Sequence, residues 1–400
     1  MPLRGLDHQR HDTLHNAFFP VPVCEDKQMR CRPSVSIFSV ALLTCLSTIT
    51  TAQVIDPSAD ALAELDETIE AHLARTNTPG ALAAVVSRGE IVHLKTYGLA
   101  NVELSVPVTD QSLFEIGSIS KQFVTAAVML LREEDRIGLE DPIHDYLPYL
   151  PSEWIGVTVR QLMNHTSGIP DYEEIRTYDV YRFRLTPEEV IRIAHSRPMD
   201  FEPGTGRYYS NTGYFLLSMI VERIEGQPLG KVLESRIFEP LGMSRTRFAD
   251  PEAIIPHRAA GYWVNKAGEL INRNPTETSS TLGAGGLLSS VHDLAKWDAA
   301  LYGDDFLSAE SKTELWTPAI LPNGDNTEYG LGWRVTPFHG IPSQSHSGQV
   351  AGFNTNFSRF PEQEIAVIVF MNRYLVSSTF IKDAVLGTFM PDVGPEDSAE

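Results

Sequence analysis

Phe114-Glu115-Ile116-Gly117-Ser118-Ile119-Ser120-Lys121 opens the long apolar run Phe123–Leu131, and the rest of the chain is read outward from it. The run has the pattern of a helix. Ser118 and Lys121 are three residues apart, and positions i and i+3 share a helix face, so the lysine nitrogen reaches the serine hydroxyl. A serine hydroxyl is barely nucleophilic at neutral pH without a base beside it. Lysine serves as that base once desolvation or a neighbouring charge depresses its pKa. The helix N-terminus also favours negative charge developing on Ser118. Ser120 stands about 100° round the helix from Lys121 and is the poorer nucleophile. About one or two such Ser/Lys spacings arise by chance in a chain this long, so further signals are needed.

Two other stretches supply them. In Arg207-Tyr208-Tyr209-Ser210-Asn211, which follows the Gly-bounded loop Phe201–Gly206, Tyr209 near two cations can take the phenolate form and share the base role. Asn211 can donate its amide to a substrate carbonyl. Ser345-His346-Ser347-Gly348-Gln349 precedes the β-rich run Val350–Phe360. A glycine within a strand marks a place where a ligand approaches the backbone. The Gln349 N–H then pairs with the Ser118 N–H as an oxyanion hole. Each stretch also has a plain structural reading: a capped helix with a solvated lysine, a buried aromatic beside a turn asparagine, a histidine on an edge strand.

Taken in order, Ser118-x-x-Lys121, Tyr209-x-Asn211 and His346-x-Gly348 resemble the serine β-lactamase and penicillin-binding protein superfamily, most closely its class C β-lactamase-like branch. Supporting stretches are Arg160–Pro170, Phe201–Gly204, Glu239–Met243 and Gly283–Ser290, and the likeness covers roughly residues 60–390. The resemblance implies an α/β (α+β) fold, an antiparallel β-sheet flanked by helices plus an all-helical lobe, with the site between them. It implies that Ser118 is acylated, that Lys121 and Tyr209 activate it and then the hydrolytic water, that His346 is a catalytic position on the strand walling the cleft, and that Asn211, Ser347, Gly348 and Gln349 bind the substrate there. His346 stands where many members carry Lys. A histidine is neutral near pH 7 and gains charge only toward about pH 6, so recognition of a substrate carboxylate is expected to be weak and neutral esters are expected to be favoured. His165 and Asp171 form a tempting second dyad, but His165 sits in a His-Thr-Ser-Gly stretch that reads as a structural turn.

Composition narrows the field. The 400 residues hold 52 Asp+Glu against 32 Lys+Arg, a net charge of −20, which repels phosphate backbones and anionic lipid. Nucleic-acid binding and peripheral membrane attachment are thereby disfavoured. There is no Gly-x-Ser-x-Gly elbow, metal helix, Walker loop or dinucleotide fingerprint, so no metal or organic cofactor is implied. From Met29, two arginines, the apolar run Ile37–Leu46 and small residues ending at Ala52 form a secretory signal pattern. The expectation is a start at Met29, cleavage near Ala52, and a secreted or periplasmic protein. The three cysteines, Cys24, Cys31 and Cys45, all precede that site.

Beyond it, residues 53–395 read as one domain with a helical lobe at about 130–280. Helices are expected over Ala61–Ala74, Val159–Asn164, Val190–His195 with Thr186 as cap, Tyr214–Ile224, Ser290–Leu301 and Phe380–Phe389. Ala81–Val86 and Ile91–Tyr97 read as a hairpin, and Tyr329–Val335, Val350–Phe360 and Ile365–Met371 as strands. The function expected is an exported serine hydrolase acting on a small-molecule or peptide substrate, an ester or amide. The alternatives are a D-alanyl-D-alanine carboxypeptidase or β-lactamase on the same scaffold, and a non-catalytic penicillin-binding-like protein.

Overall fold

The computed structural model describes residues 54–176, 179–273 and 276–392. The signal pattern, the start at Met29 and the cysteines lie outside the described residues. Among the described residues no helix is long and apolar enough to cross a membrane.

The strands are β1 (Gly80–Ser87), β2 (Glu90–Asn101), β3 (Val106–Pro107), β4 (Phe114–Glu115), β5 (Arg247–Phe248), β6 (Tyr262–Val264), β7 (Leu270–Asn272), β8 (Leu287–Ser289), β9 (Gln344–Val350), β10 (Phe353–Phe360) and β11 (Ile365–Met371). Six of them form one antiparallel sheet in the order β3-β2-β1-β11-β10-β9, so both ends of the described chain build it. The β1–β2 hairpin expected from sequence is present. Its turn places Arg88 at φ 47° and Gly89 at φ 88°, the two positive values that a tight primed turn requires.

β1 and β11 are buried on both faces, and for that reason read as continuous apolar runs. Ala81, Ala83, Val85, Val367 and Val369 face the helices Ala59–Thr76 and Thr379–Phe389. Leu82, Ala84, Val86, Ile368 and Phe370 face the larger core, which also takes in the helices Ser120–Glu133, Asn211–Glu225 and Val291–Ala300. Across that second face Arg359 of β10 donates to Asp298 at 2.6 Å, both fully buried.

Helix starts follow their caps. Thr186 closes a capping box with Glu189, and Pro187 leads the helix Pro187–Ala194. Gly226 ends the helix Asn211–Glu225 in the left-handed conformation. Helices occupy most of the chain from 143 to 238. The rest of the 130–280 stretch adds the short β5 strand, paired with β8, and the β6–β7 hairpin.

Two strand expectations need correction. Val350–Phe360 is no single strand: the chain turns at Ala351-Gly352, with Gly352 at φ 84°, so that Ser345–Val350 lies on β9 and Phe353–Phe360 forms β10. Tyr329–Val335 is not a strand either. Tyr329 and Arg334 bridge across a tight turn with Gly332 at φ 78°, where a Cβ would lie 2.5 Å from Thr125 Oγ1. The glycines let this segment fold inward against the core instead of extending.

Candidate active site

β4 delivers the chain to Ser118. It pairs with β8, and Glu115 is gripped by Arg273, which also donates to the Ala351 carbonyl of the β9–β10 turn at 3.0 Å. Gly117, at φ 53°, then turns the chain so that Ser118 sits in a single 3₁₀ turn running into the helix Ser120–Glu133. Ser118 is half-buried and lines a cleft of about 410 Å³. Ser120 is buried, and its hydroxyl accepts from the Leu287 N–H at 3.2 Å, so it braces β8 and is no nucleophile.

Lys121 is fully buried. Its Nζ lies 3.1 Å from Ser118 Oγ, 2.7 Å from Asn211 Oδ1 and 2.6 Å from the Ala284 carbonyl oxygen. The rings of Tyr209 and Tyr214 flank it at 4.8 and 5.3 Å. Burial depresses its pKa to about 7, against the opposing pull of Glu173 and Asp171. Near neutral pH the amine form is therefore accessible. A neutral amine has two hydrogens and one lone pair. Asn211 and Ala284 offer only acceptors, so they take the hydrogens and the lone pair is left for the Ser118 hydroxyl.

The expected role of Asn211 changes. Its amide nitrogen already donates to Asp171 Oδ2 at 3.1 Å and to Glu173 Oε2 at 2.7 Å, so no amide hydrogen remains for a substrate carbonyl. Asn211 lines the cleft and holds Lys121.

Tyr209 also departs from expectation. It is brought beside Lys121 by the turn at His165, whose ring packs on it at 4.3 Å and whose Nδ1 accepts from the Ser210 N–H at 3.2 Å. Burial raises the Tyr209 pKa well above that of free tyrosine, and the interaction with Ser118 pulls it back only in part. The resting group is a phenol, not a phenolate. His165, at φ 63°, is a turn residue, while Asp171 accepts from Asn211 and from the Glu173 N–H, so the two form no dyad.

His346, expected among the catalytic positions and as a group that charges toward pH 6, is held neutral here. Its Nδ1 lies 2.6 Å from the Ser347 carbonyl oxygen and must carry the hydrogen there, so Nε2 accepts from the Tyr329 hydroxyl at 2.9 Å. Burial, with Lys121 next, lowers its pKa to about 3, and it does not charge near pH 6. Arg334, which the sequence reading overlooked inside a supposed strand, lines the same cleft and is exposed. It provides the permanent positive charge that His346 lacks.

The third motif does meet the first. A Cβ on Gly348 would lie 1.8 Å from the Ile116 carbonyl oxygen, and one on Gly117 would lie 2.7 Å from the Gln349 nitrogen. β9 therefore touches the Ser118 turn backbone to backbone. In the hairpin closed at Val350–Phe353, Gln349 stands opposite Asn354 at a non-hydrogen-bonded position. Its N–H points off β10 toward the Ser118 turn, and Ser347 and Gln349 both line the cleft. Tyr329, Ala284, Glu173 and Arg334 are the site residues missed from sequence. Ala284 acts by its carbonyl, which no residue type announces.

A family model described as Beta-lactamase matches residues 65–386. Penicillin-binding protein 4* of Bacillus subtilis (strain 168) is 34% identical over 303 residues, covering 71% of this chain; the chain spans 66% of that relative's length. Among solved structures, the octameric penicillin-binding protein homologue from Pyrococcus abyssi matches with a TM-score of 0.72 and 32% identity, over 82% of this chain and 76% of that one. The D-amino acid amidase from Ochrobactrum anthropi SV3 matches with a TM-score of 0.71 and 28% identity, over 82% of this chain and 96% of that one.

Proposed function

The chain belongs to the beta-lactamase family of serine hydrolases, and from that premise we propose that it is an exported enzyme cleaving a small amide or ester bond through an acyl-enzyme on Ser118. The observation that carries this reading is the fully buried Lys121 amine 3.1 Å from Ser118 Oγ, with two acceptors claiming its hydrogens. In the proposed sequence, neutral Lys121 takes the Ser118 proton as Oγ attacks the carbonyl carbon. The N–H groups of Ser118 and Gln349 receive the oxyanion. The proton passes to the leaving group through the Tyr209 hydroxyl, and a water activated by the same pair releases the acid. Export rests on the Met29–Ala52 sequence pattern.

On the substrate, the expected preference for neutral esters loses its ground, because Arg334 supplies a fixed cation in the cleft. The name of the amidase relative supports amides, including those of D-residues, within the reading. Arg334→Gln is expected to lower kcat/KM for a carboxylate-bearing amide by about three- to tenfold, the scale of an exposed charge pair, and to leave neutral p-nitrophenyl esters little altered. Assaying wild type and variant on both substrates checks this. Equal losses on both would remove Arg334 from substrate recognition. A panel of p-nitrophenyl esters, a chromogenic cephalosporin and D-Ala-D-Ala peptides ranks the substrate classes; no turnover of any would defeat the proposal.

A further inference from the structure

The Tyr172 hydroxyl has one hydrogen and two oxygen neighbours, the Ser280 carbonyl oxygen and Glu173 Oε1 at 3.1 Å. The carbonyl has no hydrogen to give, so the tyrosine's hydrogen goes to it. The contact with Glu173 then needs a hydrogen from the carboxyl group itself. Glu173 Oε2 is already an acceptor, from the Tyr181 hydroxyl and from Asn211 Nδ2 at 2.7 Å. Asp171 next to it is bonded as an ionised carboxylate: Oδ1 accepts from the Glu173 N–H at 2.9 Å, and Oδ2 from the Asn211 N–H and Nδ2 at 3.0 and 3.1 Å.

We propose that Glu173 is held as a neutral carboxylic acid and is a positioning residue for Lys121: with ionised Asp171 it engages both amide hydrogens of Asn211, so that the Asn211 oxygen is the atom turned to the lysine. A reversed amide would set N–H donors against the N–H donors of Lys121, leaving the amine free to rotate its lone pair away from Ser118. The inference rests on the reading of Ser118 and Lys121 as nucleophile and base.

Electrostatics agree with the hydrogen count. Burial, and then the Asp171 charge, push the Glu173 pKa up to about 8. The titratable groups around it are Lys121 on the helix Ser120–Glu133, Asp171 and Tyr172 on its own segment, Tyr181 on the turn Asp179–Arg182, and Tyr209 ahead of the helix Asn211–Glu225. Of these only Lys121 can carry a positive charge, and its hydrogen bonds go to Ser118, Asn211 and Ala284. Charge on Glu173 would sit beside Asp171 and hold Lys121 in its ammonium form, which has no lone pair for Ser118.

The test compares wild type, Glu173→Gln, Glu173→Ala and Lys121→Ala on a neutral p-nitrophenyl ester across pH, with infrared difference spectra at neutral pH. Glutamine can give an N–H to Tyr172 where the acid gives its O–H, and still accept from Tyr181 and Asn211. Glu173→Gln should lose far less kcat than Glu173→Ala, whose loss is expected at about 10- to 100-fold because the lysine is misplaced. Because the wild-type acid carries no charge at the pH where Lys121 titrates, the acidic limb of kcat/KM in Glu173→Gln should stay where wild type has it. Wild type should show the carbonyl stretch of a protonated carboxylic acid that Glu173→Gln lacks. The proposal is overturned if that band is absent, if Glu173→Gln loses as much kcat as Glu173→Ala, or if its acidic limb moves to lower pH, the mark of a charge removed from beside Lys121. The infrared band and the Gln variant decide the matter even if Glu173→Ala does not fold. Retained turnover in Lys121→Ala would instead overturn the assignment of the base.

Discussion

Lys121→Ala is expected to slow acylation of Ser118 by about 10²–10⁴-fold, the contribution of a positioned general base. The size follows from geometry. Lys121 is the group whose Nζ hydrogen-bonds to Ser118 Oγ, and its other neighbours are arranged to spend its hydrogens elsewhere. Tyr209→Phe should also lose activity, but the double variant should lose little more than Lys121→Ala alone, because both groups serve one proton-transfer route. The pH dependence has a definite sign. The Lys121 pKa is lowered by burial to about 7, and the base must be unprotonated. Activity in wild type is therefore present above about pH 7 and lost as pH falls through it. His346, lowered to about 3, adds no step between pH 5 and 8. Stopped-flow acylation rates with a p-nitrophenyl ester, on variants with unchanged far-ultraviolet dichroism, check each point. Near wild-type acylation in Lys121→Ala would remove it from the chemistry.

Gly348→Ala should damage stability and catalysis together. The added Cβ would stand 1.8 Å from the Ile116 carbonyl oxygen and 2.4 Å from Thr355 Oγ1, and Thr355 is itself bonded to that carbonyl at 2.9 Å. A backbone atom cannot swing aside as a side chain can, so β9 must part from the Ser118 turn. Overpacking of this kind costs about 1–3 kcal/mol of stability. The same shift carries the Gln349 N–H away from the oxyanion position, and loss of one such donor costs about 10²–10³ in kcat. Gly387→Ala is the control, since nothing lies within 4 Å of a Cβ there. Thermal unfolding and kcat should both fall for Gly348→Ala and neither for Gly387→Ala. Wild-type kcat and Tm in Gly348→Ala would show that the contact between β9 and the nucleophile turn is not needed.

Much of this arrangement was legible in the sequence because it is set locally. The Ser118–Lys121 contact needs only helical spacing, and the hairpin at Arg88-Gly89 needs only turn chemistry. The capped helix at Pro187 announces itself by Thr186, Pro187 and Glu189. What stayed hidden is set by contacts distant in sequence. The run Tyr329–Val335 has strand composition, but Gly330 and Gly332 fold it onto Leu315 and Thr125, and this brings Tyr329 to His346 and Arg334 to the cleft. No local pattern shows that fold. His346 read as a group poised to charge, because sequence gives its type and not its burial. Tyr209 was mistaken as a phenolate for the same reason: cations nearby were foreseen, the dry surroundings were not. Asn211 was assigned to substrate because its partners Asp171 and Glu173 lie about forty residues away. Gly348 reads as a point where a ligand approaches the strand, whereas what approaches it is the chain's own Ile116 carbonyl.

The central claim, nucleophilic catalysis by Ser118, is tested most directly by trapping the acyl-enzyme's analogue. Purified enzyme incubated with a fluorophosphonate should gain the mass of one adduct, and peptide mapping should locate it on Ser118, with no adduct formed by Ser118→Ala. An adduct on Ser120, Ser210 or Ser347, or labelling that survives in Ser118→Ala, would contradict the account.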